Sequence, residues 1–107
     1  MQFNNVNWRI CAGPGNPAWD SFLEHNGVKF QKKIAKETIK YIEGCDVLDG
    51  NFEMIVAGNI TDEFELCKSV RNLKIITGFF LIHAYPGKSL RCFEQLQQVL
   101  DCGSQKI

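Results

Sequence analysis

The order of apolar and polar residues divides this chain into three stretches of different rhythm. Residues 1 to about 16 show no period. They are rich in Asn and Gly, and Cys11-Ala12-Gly13-Pro14-Gly15 reads as an irregular arm with a turn. A short helix is expected next. Asn16 can cap it, Pro17 suits its first turn, and Asn26-Gly27 ends it, with Trp19, Phe22 and Leu23 on one side. A second and clearer helix is expected over Phe30–Glu43. There Ile34, Ala35, Thr38, Ile39 and Ile42 share a face, while Lys32, Lys33, Lys36 and Lys40 point elsewhere and Gly44 supplies the stop. Such a lysine-rich helix could lie on a membrane surface. Glu37 and Glu43 dilute its charge, which favours a helix covering the end of a core.

From Cys45 onward the period shortens to that of strands. Apolar residues at Cys45, Val47 and Leu48 precede Gly50, and Phe52 and Met54 alternate after it. The same grammar returns in Leu73, Ile75 and Ile76, then Gly78, then Phe80 and Ile82. Placing Gly78 over Gly50 aligns all of these positions with an offset of 78 − 50 = 28 residues. A weaker third copy sets Leu96 over Leu73 and Val99 over Ile76, at an offset of 96 − 73 = 23, with Asp101 where the glycine would stand. The connectors correspond as well, through Leu66, Val70 and Leu73 in one and Leu90, Phe93 and Leu96 in the next. A spacing of 20 to 30 residues marks a solenoid, in which each turn adds a short strand in parallel with the last. Each glycine would mark a sharp bend or a close backbone approach. The alternative is an ordinary mixed α/β domain whose two similar strands match by chance.

The ordered series Cys45-x-Val47-Leu48-x-Gly50-Asn51-Phe52-x-Met54, Leu73-x-Ile75-Ile76-Thr77-Gly78-x-Phe80-Leu81-Ile82 and Ser89-Leu90-x-x-Phe93-x-x-Leu96-x-x-Val99 resembles the receptor L domain. That module forms the ligand-binding lobes of insulin-receptor and EGF-receptor ectodomains and also stands alone in nematode proteins. The match covers Cys45 to about Val99, roughly half of the chain. The resemblance implies a mixed α/β fold built as a short right-handed parallel β-helix with N-terminal capping helices. Residues 1–29 would form the arm and short helix, and residues 30–107 the capping helix and a partial L domain, within one domain overall. It implies a disulfide from the arm to the first strand, for which Cys11 and Cys45 are the candidates. It also implies an extracellular or cell-surface setting and a peptide or protein ligand docked on a broad sheet face. Asp101 in place of a third glycine and the lack of later turns depart from the family, so the chain reads as truncated or abbreviated. An open end would then expose Leu96, Val99, Leu100 and Ile107 and promote self-association.

Composition narrows the classes. With 12 basic and 12 acidic residues the net charge is zero, which gives no field to draw nucleic acid. The longest apolar stretch, Phe79 to Ala84, is far shorter than the roughly 20 residues of a membrane-spanning helix. Met1-Gln2-Phe3-Asn4-Asn5 does not read as a secretory leader, so a cytoplasmic setting stays open. Five cysteines, none in a CxxC pair, argue against zinc and thioredoxin-type chemistry, and their odd number leaves at least one without a partner in the chain.

Cys67 and Cys92 fall on equivalent connectors, two alignment positions apart. Stacked strands about 4.8 Å apart would allow a disulfide between them, and two buried free thiols are the alternative. Cys102 would be left over. Asn59-Ile60-Thr61 is the single N-glycosylation sequon, with Thr61 also suited to capping a helix before Asp62-Glu63. His25 and His83 lack a cysteine or carboxylate at a ligand spacing. Asp20, Glu24, Asp46, Asp49 and Glu53 show no spacing that singles out an acid/base pair. Gly13-Pro14-Gly15 lacks the following GK[ST] of a phosphate loop. No catalytic, cofactor or metal residue is assigned. The strand-face neighbours Glu53 with Leu81 and Asp46 with Lys74 are the candidates for recognition, while Phe79 and Tyr85 suit either core or contact. The favoured function is a non-catalytic binding or structural module. An intracellular scaffold resembling leucine-rich repeats is the second reading, and a small enzyme with a thiol nucleophile the third.

Overall fold

The computed structural model describes residues 7–35, 37–56, 66–84, 91–100 and 105–106. Strand β1 (Ile10–Ala12) leads through a turn to α1 (Pro17–His25). A 3₁₀ turn at Ile39–Ile42 precedes β2 (Val47–Asp49) and β3 (Phe52–Val56). A second α-helical segment, α2 (residues 66–70), leads to β4 (Ile75–Ile76) and β5 (Phe80–Ala84). A 3₁₀ turn at Arg91–Phe93, β6 (Gln98–Val99) and β7 (Gln105–Lys106) follow. The strands form two sheets, ordered β1-β2-β4-β6 and β3-β5-β7, and every pairing is parallel.

The first helix follows its sequence signals. Asn16 accepts the Ala18 N–H at 3.0 Å, Pro17 opens the helix, and Gly27 leaves it at φ +71°. Trp19 and Leu23 are buried, and Phe22 is left partly outside.

The 28-residue offset is the register of β2 with β4 and of β3 with β5. Val47 pairs with Ile75, Leu48 with Ile76, Phe52 with Phe80 and Met54 with Ile82. The third match also holds, since Ile76 pairs with Val99. The corner glycines explain why the offset is fixed. Gly50 sits at φ +151°, and a Cβ there would come 2.6 Å from the Gly13 carbonyl oxygen. A Cβ on Gly78 would lie equally close to the Gly50 carbonyl oxygen. Backbone stacks on backbone at this corner: Asn51 N–H donates to Pro14 C=O, and Gly78 N–H donates to Gly50 C=O.

The expected β-helix with capping helices is not what forms. The structure is a small mixed α/β fold with two short parallel sheets and two α-helical segments among the described residues. Spacing between matched positions of the first sheet falls from 37 (Ile10 to Val47) to 28 (Val47 to Ile75) to 23 (Ile75 to Gln98), so no regular coil repeats. The helix expected over Phe30–Glu43 is also absent. Ile34, Thr38, Ile39 and Ile42 are buried as its inner face would be, yet among the described residues of the stretch only Ile39–Ile42 winds, as 3₁₀. Three of those four are isoleucine and one is threonine, all β-branched and weak helix formers. Local bonds take over instead. Ile34 N–H donates to Glu53 C=O on β3, and Thr38 Oγ1 accepts the Ala35 N–H.

The core lies between the sheets. Leu48, Ile76, Phe52, Phe80, Met54 and Ile82 point into it, and Trp19, Leu23, Ile34, Ile39, Ile42, Leu66, Val70 and Leu73 close its sides. Phe52, Phe80 and Phe93 form an aromatic cluster with centroids 4.9 to 5.7 Å apart. The arm is part of this body, because β1 supplies an edge strand and Cys11 and Ala12 pack against the core.

Candidate functional site

By alternation from Leu48 and Ile76, Val47 and Ile75 turn away from the main core on the first sheet, and both are buried. Just ahead of β2 and β4, Asp46 and Lys74 are neighbours, as the alignment placed them. Lys74 Nζ donates to Asp46 Oδ1 at 2.6 Å, and Arg9 N–H donates to Asp46 Oδ2 at 2.9 Å. The Lys74 hydrogen bond first, and then the Arg9 N–H, hold the Asp46 carboxyl below the ordinary carboxylate range against the opposing effect of burial. Lys74 also lies 5.8 Å from the centroid of the Trp8 ring. These groups satisfy one another and tie together the residues that lead into β1, β2 and β4, which makes the pair structural.

The outer row of the second sheet is open. Glu53 pairs with Leu81 and Ile55 with His83 across β3 and β5. Ile55 is 59% exposed, His83 is exposed and Leu81 is half-buried. The Glu53 carboxylate lies 3.8 Å from Lys33 Nζ and 3.9 Å from His83 Nε2. Apolar and polar groups thus alternate on adjacent rungs of a fixed frame. That arrangement suits contact with a partner surface, where an apolar centre takes area and flanking charges set orientation.

Cysteine placement settles an alternative that sequence left open. Cys67 and Cys92 form a disulfide, with Cα atoms 4.8 Å apart. Cys11 and Cys45 form the other, with Cα atoms 6.1 Å apart, joining the arm to the residue two before β2. Two disulfides suit an oxidising compartment. Four of the five cysteines are thereby held in disulfides, and Cys102 lies outside the described residues.

The remaining candidates do not converge. His25 sits exposed in the last turn of α1, and Asp20 and Glu24 lie exposed on the same helix. Asp49 accepts from Thr77 Oγ1 at 2.9 Å, and Thr77 Oγ1 in turn accepts the Gly50 N–H, so both serve the corner. Phe79 is half-buried, its N–H donating to Asn51 Oδ1. The sequon at Asn59 and the residues Thr61 and Tyr85 fall outside the described residues. Among the described residues no three of His, Cys, Asp and Glu gather as metal ligands, and no helix is long and apolar enough to cross a membrane.

One feature was not read from the sequence. A groove of about 340 Å³ runs beside β1 and is lined by Ile10, Ala12, Ala18, Phe22 and Tyr41, with Arg9 also in its wall. Phe22 meets Tyr41 edge-on with centroids 4.7 Å apart. Strand β1 itself was signalled in Ile10-Cys11-Ala12-Gly13, which repeats the two-apolar, one-spacer, glycine order of Val47-Leu48-Asp49-Gly50 and Ile75-Ile76-Thr77-Gly78. No protein-family model matches this chain, and a search of curated proteins likewise finds no match.

Proposed function

We propose that this chain is a non-catalytic, disulfide-tied binding module of the receptor L-domain kind, which takes an extracellular peptide or protein on the outer face of its second sheet. The observation that carries the reading is the open row of Glu53, Ile55, Leu81 and His83 on paired strands. Parallel pairing at the offset of the motif series supports the family resemblance, and the two disulfides support the compartment. They also disfavour the intracellular scaffold, in which all five cysteines would remain thiols.

The test is a selection of binders from a random peptide library on the natively folded, oxidised chain, followed by the double variant Ile55→Glu and Leu81→Glu. Selected binders are expected to lose at least about tenfold in affinity, since two apolar contacts of ~1 kcal/mol or more each are removed. Retained affinity in a variant with unchanged circular dichroism defeats the face assignment. Thiol counting on the native protein tests the compartment, with one reactive thiol expected and five contradicting it.

A further inference from the structure

The first sheet ends on β1, and among the described residues no strand pairs with its outer edge. Arg9 C=O accepts from Asp46 N–H and Val47 N–H, and Gly13 N–H donates to Asp49 C=O. In a parallel ladder alternate residues face the same neighbouring strand. Arg9, Cys11 and Gly13 therefore face β2, and the N–H and C=O of Ile10 and Ala12 face outward. Among the described residues none of those four groups has a main-chain partner. An unprotected edge of this kind is a template for another strand.

The surroundings of the edge restrict what can fill it. Ile10 is 54% exposed and Phe22 44%, and both line the groove beside the strand. Ala12 and Ala18 keep that groove open at the foot of the edge. Arg9 lines it too, and its guanidinium makes no ion pair or hydrogen bond among the described residues. The site thus offers two outward donor–acceptor pairs, an apolar wall and an uncompensated cation. A docked helix would satisfy the wall and leave the four main-chain groups unmet. A second copy pairing through its own β1 would bring no carboxylate, because the first acidic residue of the chain is Asp20. Two such strands would also bring two uncompensated Arg9 side chains to one seam.

We propose that β1 accepts an extended acidic peptide segment as an added outer strand. Its main chain pairs with Ile10 and Ala12, one apolar side chain seats against Phe22 and Tyr41, and a carboxylate reaches Arg9. Strand addition of this type takes affinity from main-chain hydrogen bonds and specificity from alternate side chains. The site is separate from the open face of the second sheet and stands whether or not that face binds a ligand.

The test uses the full oxidised chain and a capped seven-residue peptide of alternating valine and glutamate, followed by amide NMR. Chemical-shift changes centred on Ile10, Ala12 and Phe22 are expected, with hydrogen-exchange protection of the Ile10 and Ala12 amides rising about tenfold at saturation. The same peptide with N-methyl groups on alternate residues loses binding. Glutamine in place of glutamate weakens it by about threefold, as Arg9→Gln does, since the ion pair is solvent-exposed. Ala12→Pro removes one outward N–H without touching the bonds to β2 and abolishes binding. Equal binding of the N-methylated peptide overturns the proposal, as does an absence of shifts at millimolar peptide. Shifts confined to Ile55, Leu81 and His83 overturn it while supporting the other face. Protection of Ile10 and Ala12 that rises with protein concentration alone overturns it in favour of a second copy.

Discussion

Strands β1 and β6 are the two edges of one sheet, built by the same ladder and secured in different ways. β1 is tied to the core by a disulfide whose Cys45 end is fully buried, by the Gly13–Gly50 backbone contact and by the Asp46 carboxylate. β6 is a two-residue strand bonded to β4 through Gln97, Gln98 and Leu100, and its nearest disulfide, Cys67–Cys92, lies upstream in the connectors. That second disulfide is half-buried and opens on a shallow hollow with Arg71, Glu94 and Gln95. The sequence separations are 34 and 25 residues, which correspond in a chain-entropy model to about 3.8 and about 3.5 kcal/mol. Loop length therefore hardly separates the two bonds, and their surroundings must. A crosslink inside the core contributes packing as well as constraint, whereas one at the surface contributes mostly constraint.

Removing the buried bond should give the largest effect. Paired replacement Cys11→Ala and Cys45→Ala is expected to cost about 4–5 kcal/mol, read by urea denaturation, because a filled core position is emptied as well. A loss no greater than that of the surface pair would erase the contrast. Gly50→Ala comes next, at about 2–3 kcal/mol, since its Cβ would press on the Gly13 carbonyl and the backbone sits where side chains are strained. Hydrogen exchange should show β1 loosening before β6 in that variant. The surface pair, Cys67→Ala with Cys92→Ala, is expected to cost about 2–3 kcal/mol, below the chain-entropy figure because an unfolded chain that keeps some structure has less freedom to lose. Graded reduction with mass-spectrometric thiol counting sharpens the same point, because Cys67 and Cys92 should be alkylated before Cys11 and Cys45. The smallest effect belongs to Asp46. Its folded carboxyl titrates below the unfolded value of about 3.9, so its stabilisation is complete above that pH and is lost as the pH falls through the lower folded value. Asp46→Asn should remove about 1 kcal/mol at neutral pH and flatten the acid limb of the melting curve. An unchanged acid limb would show that β1 does not depend on this carboxylate.

Much of the strand pairing was legible before the structure, because close backbone stacking leaves a mark that survives in sequence. Gly50 and Gly78 hold the register, and with it the neighbours Asp46 and Lys74 and the row of Glu53 and Leu81. The caps of α1 were legible for a similar reason, since Asn16, Pro17 and Gly27 each answer a local backbone demand. The stretch from Phe30 to Glu43 was misread because burial period and conformation are separate quantities. Ile34, Thr38, Ile39 and Ile42 are buried at helical spacing without a helix, as their β-branched side chains favour other backbones and β3 offers a bond to Ile34. The β-helix expectation failed where two matching segments were extended to a regular period that the 37, 28 and 23 spacings do not keep. The β1 groove escaped notice because its walls come from three separate segments, and no local pattern marks Tyr41 as a neighbour of Ile10.

Only Gly50 and Asn51 separate β2 from β3, and only residues 77–79 separate β4 from β5. The two sheets are therefore geared together. Adding or deleting one amino acid at the first junction would invert inside and outside along β3, moving Glu53 toward the centre and Phe52 toward water, and the same change at the second would exchange Leu81 and Phe80 along β5. Evolutionary length variation should accordingly be barred from these junctions and confined to the longer connections between successive rungs.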